Sequence, residues 1–182
     1  MKWFLFFFFS SLLVFLTTVY FRLGGYKPVQ IEISESQELY LLMKEHVGAY
    51  HKINSVITEV EQWAAKQRLP CTVTFGEYID DPRVKDEDRL RSRGGCVLPF
   101  ELSREILLPK DLLYVKKPKT SVVKAYFEGA PSISPFKVYP AVEDFMQEKG
   151  LLQTGPVIEI YKIYGEKQAL TEYLFEYKAA AK

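Results

Sequence analysis

The stretch Gly155-Pro156-Val157-Ile158-Glu159-Ile160-Tyr161 decides how the rest of this chain is interpreted. A Gly-Pro turn signal precedes β-branched and aromatic residues, which is typical of a strand. Because residues two apart in a strand share a face, Glu159 falls between Val157 and Tyr161 in an otherwise apolar row. A carboxylate there becomes protonated, pairs with a cation or binds a cationic ligand. The alternative is that this face is solvated and Glu159 simply lies on it.

The periodicity of the flanking sequence changes between strand and helix in the same order twice. In the first half it predicts strands over 29–34 and 38–47, a helix over 51–67, and strands over 71–80 and 96–101. In the second half it predicts strands over 106–115 and 121–128, a helix over 135–149 ended by Gly150, and strands over 157–164 and 171–178. The chain is therefore predicted to contain two copies of one small unit.

An offset of 82 residues aligns the two copies and places Glu77 at the position of Glu159. Each amphipathic helix must cover one face of a sheet. The predicted fold is α+β, with duplicated strand-helix-strand-strand units that form a curved, mainly antiparallel sheet with two helices on one face. We expect the opposite, concave face to hold a ligand cleft. The predicted cleft residues are Glu159, Tyr161, Val157, Tyr173, Phe175 and, through the repeat, Glu77.

The N-terminal segment from Trp3 to Phe21 carries no charge and lies between Lys2 and Arg22. At 1.5 Å per residue it is long enough to cross the hydrocarbon core of a bilayer. A signal peptide is the alternative, but its apolar run is shorter and ends in small residues. The sequence predicts a single-pass membrane anchor, and the balance of flanking charges leaves the side of the membrane open. The predicted segments are an anchor (1–22), a flexible linker (23–28), a domain made of repeats 29–104 and 105–178, and a tail (179–182).

The composition excludes several classes of function. With 24 basic and 23 acidic residues, the chain has no charge excess that would favour nucleic acid. No phosphate-binding loop, dinucleotide fingerprint or nucleophile elbow is present. We therefore predict no cofactor, no metal site and no catalytic motif. The cysteines, Cys71 and Cys96, are expected to be free thiols, because pairing Cys96 with Ile79 would leave Cys71 at the far end of its strand.

The sequence resembles the GyrI-like small-molecule-binding domain over 29–178. The resemblance is carried by Gly48-Ala49-Tyr50, by Glu77 to Pro82, by Tyr139, Phe145 and Gly150-Leu151, by Gly155 to Tyr161, and by Thr171-Glu172-Tyr173. It implies a duplicated fold with a cleft between the halves, in which a glutamate of the second half meets cationic ligands. Glu159 matches that position. The chain also resembles the membrane-anchored GyrI-like ER-phagy receptors, but it stops at Lys182 without their long tail, and no DNA-binding module is expected.

The predicted function is a membrane-anchored domain that binds a small amphipathic ligand, cationic or lipophilic, in the cleft between the repeats. A protein-interaction or adaptor role near the membrane, through the cleft or the charged loop 80–93, is one alternative. A hydrolase of strained electrophiles, with Glu159 as general base and Tyr161 or Tyr173 beside it, is another. The sequence identifies no protein partner and no particular ligand.

Overall fold

A single antiparallel sheet of eight strands organises the computed structural model, which describes residues 2–103, 105–164 and 168–180. The helices are α1 (Lys2–Arg22), α2 (Ile53–Lys66) and α3 (Ser134–Glu148). The strands are β1 (Gln30–Glu35), β2 (Leu39–Val47), β3 (Thr74–Tyr78), β4 (Arg91–Leu98), β5 (Leu112–Lys117), β6 (Ser121–Glu128), β7 (Leu151–Tyr164) and β8 (Gln168–Ala179). Short 3₁₀ turns cover Tyr50–Lys52 and Glu87–Arg89. The predicted tail, 179–182, lies partly outside the described residues.

The strand order β1-β6-β8-β7-β3-β4-β2-β5 reflects the predicted duplication. The unit β2-α2-β3-β4 lies beside the unit β6-α3-β7-β8, and the units meet where β3 pairs with β7. The strand that precedes each unit pairs with a strand of the other unit. Strand β1, before the first unit, pairs with β6, and β5, before the second unit, pairs with β2. The predicted α+β fold with two helices on one face is confirmed.

Both helices bury their apolar stripes on the same face of the sheet. In α2 the residues Ile53, Val56, Ile57, Val60 and Ala64 are buried, and in α3 the apolar residues Val138, Val142 and Met146 are. These stripes follow the three- and four-residue spacing that the sequence shows. Gly150 adopts a φ of +63° directly after the last turn of α3, the left-handed conformation in which helices commonly end.

The opposite face of the sheet is filled by its own side chains, which corrects the expectation of a cleft there. Its apolar cluster contains Leu41, Phe75, Ile158 and Leu174. Lys117, on the edge strand β5, reaches Glu176 of β8 across 3.5 Å, although four strands lie between β5 and β8 in the sheet order. The sheet therefore curls so that its edge strand β5 approaches β8, and this leaves little space on the side away from the helices.

The two cysteines form a disulfide, so the prediction of free thiols is wrong. Their Cα atoms lie 5.3 Å apart. Strand β4 begins at Arg91, five residues before the predicted start, and this shift places Cys96 opposite Thr74 instead of beside Ile79. The Val97 amide donates to the Val73 carbonyl at 2.9 Å and holds the segment that contains Cys71 beside β4.

The N-terminal helix extends from the domain and is long and apolar enough to cross a membrane. Its candidate span, Trp3–Arg22, covers 20 residues with a mean hydropathy of 2.2, and none of it is buried against the rest of the chain. At 1.5 Å per residue this span is about 30 Å long, which matches the thickness of a hydrocarbon core.

Candidate functional site

Glu159 lies near the middle of the sheet, on the face that the helices cover. It pairs with Gly76 of β3 on one side and with Tyr173 of β8 on the other. Directly paired residues share a face in an antiparallel sheet. The row through Glu159 consists of Lys44, Gly94, Gly76, Glu159, Tyr173 and Ala125. Only 4% of Glu159 is exposed, so its carboxyl group is withdrawn from bulk water.

Tyrosine hydroxyls hold both carboxyl oxygens of Glu159. Tyr139, on α3, donates to Oε1 at 2.9 Å, and Tyr161, two residues further along β7, donates to Oε2 at 3.1 Å. The Tyr78 and Tyr161 hydroxyls lie 2.8 Å apart and extend this hydrogen-bonded chain. Among the described residues, no lysine, arginine or histidine pairs with Glu159. Its hydrogen bonds therefore come from neutral donors.

Burial raises the pKa of Glu159 to about 7, because desolvation disfavours the charged carboxylate. The hydrogen bonds from Tyr139 and Tyr161 favour the charged form and partly oppose this rise. Burial, with the nearby Glu159 charge as a second cause, raises the pKa of Tyr139 and of Tyr161 well above the usual value for tyrosine. The hydroxyls therefore remain neutral donors near pH 7, while the carboxyl group is close to half ionised.

A large open cleft between α2 and α3 leads to this carboxyl group. Its volume is about 1630 Å³, above the range of about 300–1,000 Å³ typical of small-molecule pockets. Ile57 lines it from α2, Tyr139 lines it from α3, and Val157 and Tyr161 line it from β7. The Tyr78 ring also lines the cleft and meets the Tyr50 ring edge-on, with centroids 4.8 Å apart. The walls therefore combine aliphatic and aromatic surface around one ionisable group.

Two glycines beside Glu159 keep this part of the sheet thin. A Cβ on Gly94 would lie 2.8 Å from Cγ1 of Ile57, so α2 packs directly on the backbone there. A Cβ on Gly76 would lie 3.0 Å from the Tyr78 hydroxyl, because the Tyr78 ring folds over this residue. Glycine at position 76 therefore allows Tyr78 to lie flat beside Glu159 and to reach Tyr161.

The rim of the cleft carries charged groups that pair with one another. Arg83 forms ion pairs with Asp81 at 2.8 Å and with Glu143 of α3 at 2.9 Å. These pairs tie the loop that follows β3 to the second helix. The same loop is held to β4 by the ion pair between Asp80 and Arg91 at 2.9 Å.

Three of the predicted site residues line the cleft, and the other three do not. Val157, Glu159 and Tyr161 line the cleft. Tyr173 and Phe175 are fully buried beneath α3, where their rings contact the Tyr139 ring at centroid distances of 5.9 and 5.5 Å. They support Tyr139 from below and do not face the cavity, because α3 covers the part of the sheet that was expected to be open.

Glu77 lies on the opposite face of the sheet, away from the cleft. It pairs with Ile158 of β7 and is 1% exposed. Lys117 contacts its Oε1 at 2.9 Å, and Arg93 contacts its Oε2 at 3.1 Å. The alignment that equated Glu77 with Glu159 used an offset of 82, whereas the residue directly opposite Glu159 in the sheet is Gly76. A slip of one residue along a strand moves a side chain to the other face.

Tyr78 and Tyr139 belong to the site although the sequence pattern does not predict them there. Tyr78 follows Glu77, so the alternation that placed Glu77 in the cleft excluded Tyr78. Tyr139 belongs to α3, which was assigned to the far side of the sheet. The sequence does contain a signal for this position, because each helix can cover only its own half of the sheet. The junction of the two halves, at β3 and β7, is then covered by neither helix.

Comparisons with known proteins identify the fold. No family model and no curated protein matches this sequence. Among solved structures, the EcmrR C-terminal domain shares 16% identity with a TM-score of 0.68, over 84% of this chain and 99% of that one. SAV2435 bound to tetraphenylphosphonium shares 12% identity with a TM-score of 0.55, over 82% of this chain and 94% of that one. A hydrolase from Listeria innocua shares 15% identity with a TM-score of 0.53, over 84% of this chain and 95% of that one. The predicted GyrI-like fold is thereby confirmed.

Proposed function

We propose that this GyrI-like chain binds a lipophilic organic cation in the cleft between α2 and α3, with Glu159 as the counter-charge. The observation that carries the proposal is a carboxyl group, 4% exposed, that opens into an aromatic cleft and has only tyrosines as hydrogen-bond partners among the described residues. A buried carboxylate without a cationic partner is destabilised, and a bound cation removes that penalty. Tyrosine faces add cation–π attraction and apolar contact area.

The fold comparison supports the same ligand class. SAV2435, which shares the fold, is bound to tetraphenylphosphonium, a cation surrounded by four phenyl rings. The cleft described above has the volume for a molecule of that size and offers the rings of Tyr50, Tyr78, Tyr139 and Tyr161. Because SAV2435 is only 12% identical to this chain, the proposal depends on the chemistry around Glu159 in this chain.

We further propose that α1 anchors the chain in a membrane as a single-pass helix. The support is its apolar, unburied span of 20 residues, which ends at Arg22. Resistance of the full chain to alkaline extraction from membranes tests this anchor. Extraction into the soluble fraction would contradict it.

Binding is tested with two probes that share a shape and differ in the sign of their charge, tetraphenylphosphonium and tetraphenylborate. The full chain in detergent micelles, titrated at pH 8, should bind the phosphonium and exclude the borate. Glu159→Gln should weaken phosphonium binding by at least about tenfold, since a paired buried charge is worth more than about 1.4 kcal/mol. Glu77→Gln, a matched carboxylate on the opposite face, should retain wild-type affinity. Equal affinity of wild type and Glu159→Gln for the cation would refute the proposal.

A hydrolytic role is the second candidate. A carboxyl group with a pKa of about 7 is suited to act as a general base at neutral pH, and Tyr161 lies 3.1 Å from it as a donor. Mass spectrometry of the ligand after incubation separates the two roles. A ligand recovered unchanged supports binding alone, whereas Glu159-dependent turnover supports catalysis.

A further inference from the structure

The C-terminal end of α1 forms part of the wall of the cleft that contains Glu159. Phe21 and Arg22, in the last turn of α1, line the cavity, as do Tyr26 and Lys27 just beyond it. The Phe21 and Tyr26 rings contact each other with centroids 5.3 Å apart. The cleft therefore extends from the buried carboxyl group to the segment where the apolar helix ends.

This end of α1 is hydrogen-bonded to the domain through residues of the predicted linker, 23–28. The Leu23 carbonyl accepts a hydrogen bond from the Ala130 amide at 2.9 Å, in the loop before α3. Lys137 of α3 donates to the Gly25 carbonyl at 2.5 Å and also to the Lys27 carbonyl. These contacts hold the base of α3 against the end of α1, so the orientation of the cleft relative to α1 is defined.

With α1 across a bilayer as proposed above, the charged and aromatic residues would place this wall at the level of lipid headgroups. Phe21 is the last apolar residue of the candidate span, and Arg22 is the first charge after it. Tyr20 and Tyr26 flank this boundary, and tyrosine is enriched at membrane–water interfaces. A cavity whose wall contains Phe21 and Arg22 would then reach the bilayer surface.

Phe136 adds an exposed ring to the same wall. It lies in the first turn of α3, next to Lys137, and 80% of it is exposed although it lines the cavity. Phenylalanine in contact with water is unfavourable, whereas a ring at a membrane surface contacts acyl chains or a lipophilic ligand. We call the group formed by Phe21, Tyr26 and Phe136 the mouth of the cleft.

We propose that the mouth opens onto the membrane surface and that the cleft takes its ligand from the bilayer. The ligand class is then an amphiphilic cation that dissolves in lipid, with its charge at headgroup depth and its apolar part among acyl chains. Transfer would move the charge to Glu159 while the apolar part passes along the rings of the mouth. This inference rests on the proposed function of the cleft and on α1 as a membrane anchor.

The route is tested by association kinetics, because equilibrium occupancy does not depend on the path taken. The full chain is reconstituted in phosphatidylcholine nanodiscs, and stopped-flow fluorescence follows two cations with the same headgroup. Dodecyltriphenylphosphonium resides in the bilayer, whereas methyltriphenylphosphonium remains largely in water. The test variant combines Tyr26→Ser with Phe136→Ser. The control variant is Phe100→Ser, which removes an exposed ring that does not line the cleft.

We expect the double variant to slow association of the dodecyl probe by about tenfold, which corresponds to about 1.4 kcal/mol in the barrier. The methyl probe should be slowed much less, and Phe100→Ser should slow neither. Equal slowing of both probes, or of neither, would overturn the bilayer route while leaving the proposed function intact. If the wild type binds neither probe, the proposed function itself fails, and the route fails with it.

A second measurement on the wild type does not depend on how the variants fold. Phosphatidylcholine with a photoactivatable group near its headgroup is incorporated in the nanodiscs, and labelled peptides are mapped by mass spectrometry. Labelling of Tyr26 and Phe136, reduced by excess dodecyl probe, supports a mouth at the membrane surface. Labelling confined to α1 contradicts it.

Discussion

The hydroxyl of Tyr139, on α3, donates to Oε1 of Glu159, on β7, across 2.9 Å. This bond joins a helix to the strand at the junction of the two repeats, and it stabilises the charged carboxylate against the cost of burial. The position of α3 and the protonation of Glu159 are therefore coupled, and the proposed cationic ligand would act on both.

Removal of this donor should weaken cation binding at neutral pH. In Tyr139→Phe the pKa of Glu159 should rise above 7, since a hydrogen bond to a charged group contributes about 1.5–3 kcal/mol. The affinity for tetraphenylphosphonium at pH 7 should then fall by about seven- to eightyfold. Calorimetric titration at pH 7 and pH 9 measures the change, which should shrink at pH 9. Tyr114→Phe is the matched control, because its hydroxyl accepts from the Leu102 amide outside the cleft. A loss of the same size at both pH values would show that Tyr139 acts only by contact.

Cation affinity of the wild type should depend on pH through Glu159. Its pKa is raised to about 7, so about one tenth of the carboxyl groups are ionised at pH 6. The apparent affinity should fall about fivefold from pH 7 to pH 6 and about tenfold for each further pH unit. Above about pH 8 the affinity should be constant. Binding should also release a proton, which titrations in buffers of different ionisation enthalpy detect. A Glu159→Gln variant with the same pH profile would assign the effect to another group.

The ligand-free protein should lose stability as the pH rises through the same range. Burial raises the pKa of Glu159 from 4.5 to about 7, so between these values the folded state binds more protons than the unfolded state. The stability present below about pH 4.5 is therefore lost as the pH rises towards 7. Relative to Glu159→Gln, the free energy of unfolding of the wild type should fall by about 1–3 kcal/mol between pH 5 and pH 8. Urea denaturation of both proteins across this range measures the difference, and parallel curves would contradict the burial of an ionisable carboxyl.

Local patterns in the sequence were sufficient to predict the elements and the duplication. The strand over 121–128 was predicted with the bounds that the structure has, and α3 differs by one residue at each end. Alternation also identified Glu159 as a carboxyl group in an apolar row. These features depend on neighbours within a few residues, which a single sequence records directly.

The face of the cleft and the pairing of the cysteines depend on contacts between distant segments. Strand β4 begins with Arg91-Ser92-Arg93-Gly94-Gly95, which lacks the β-branched and aromatic residues typical of strands. The reason for Gly94 is tertiary, since Ile57 of α2 packs where its side chain would lie. The predicted β4 begins five residues too late, which gives the wrong register for the cysteines. An alignment displaced by one residue gives the wrong face for Glu77.

Glu77 should be structural and not part of the ligand site. Glu77→Gln leaves Lys117 and Arg93 without their buried partner, and we expect the free energy of unfolding to fall by about 2–4 kcal/mol. Affinity for tetraphenylphosphonium should be unchanged, because the side chain lies on the face away from the cleft. Glu176→Gln, which removes a less buried partner of Lys117, should cost less. A weaker affinity without a change in stability would instead show that Glu77 takes part in ligand binding.

The disulfide between Cys71 and Cys96 should stabilise the first repeat. It closes a loop over a sequence separation of 25 residues, for which the chain-entropy model gives about 3.5 kcal/mol. The double variant Cys71→Ala/Cys96→Ala should unfold at a correspondingly lower urea concentration than the oxidised wild type, and reduction of the wild type should have a similar effect. Cation affinity should be retained, since neither cysteine lines the cleft. Disulfides persist in oxidising compartments and are reduced in the cytosol, so thiol labelling in intact cells would also report on which side of a membrane the proposed anchor holds the domain. Equal stability of the oxidised and reduced wild type would show that the bond adds nothing to a register already fixed by β3 and β4.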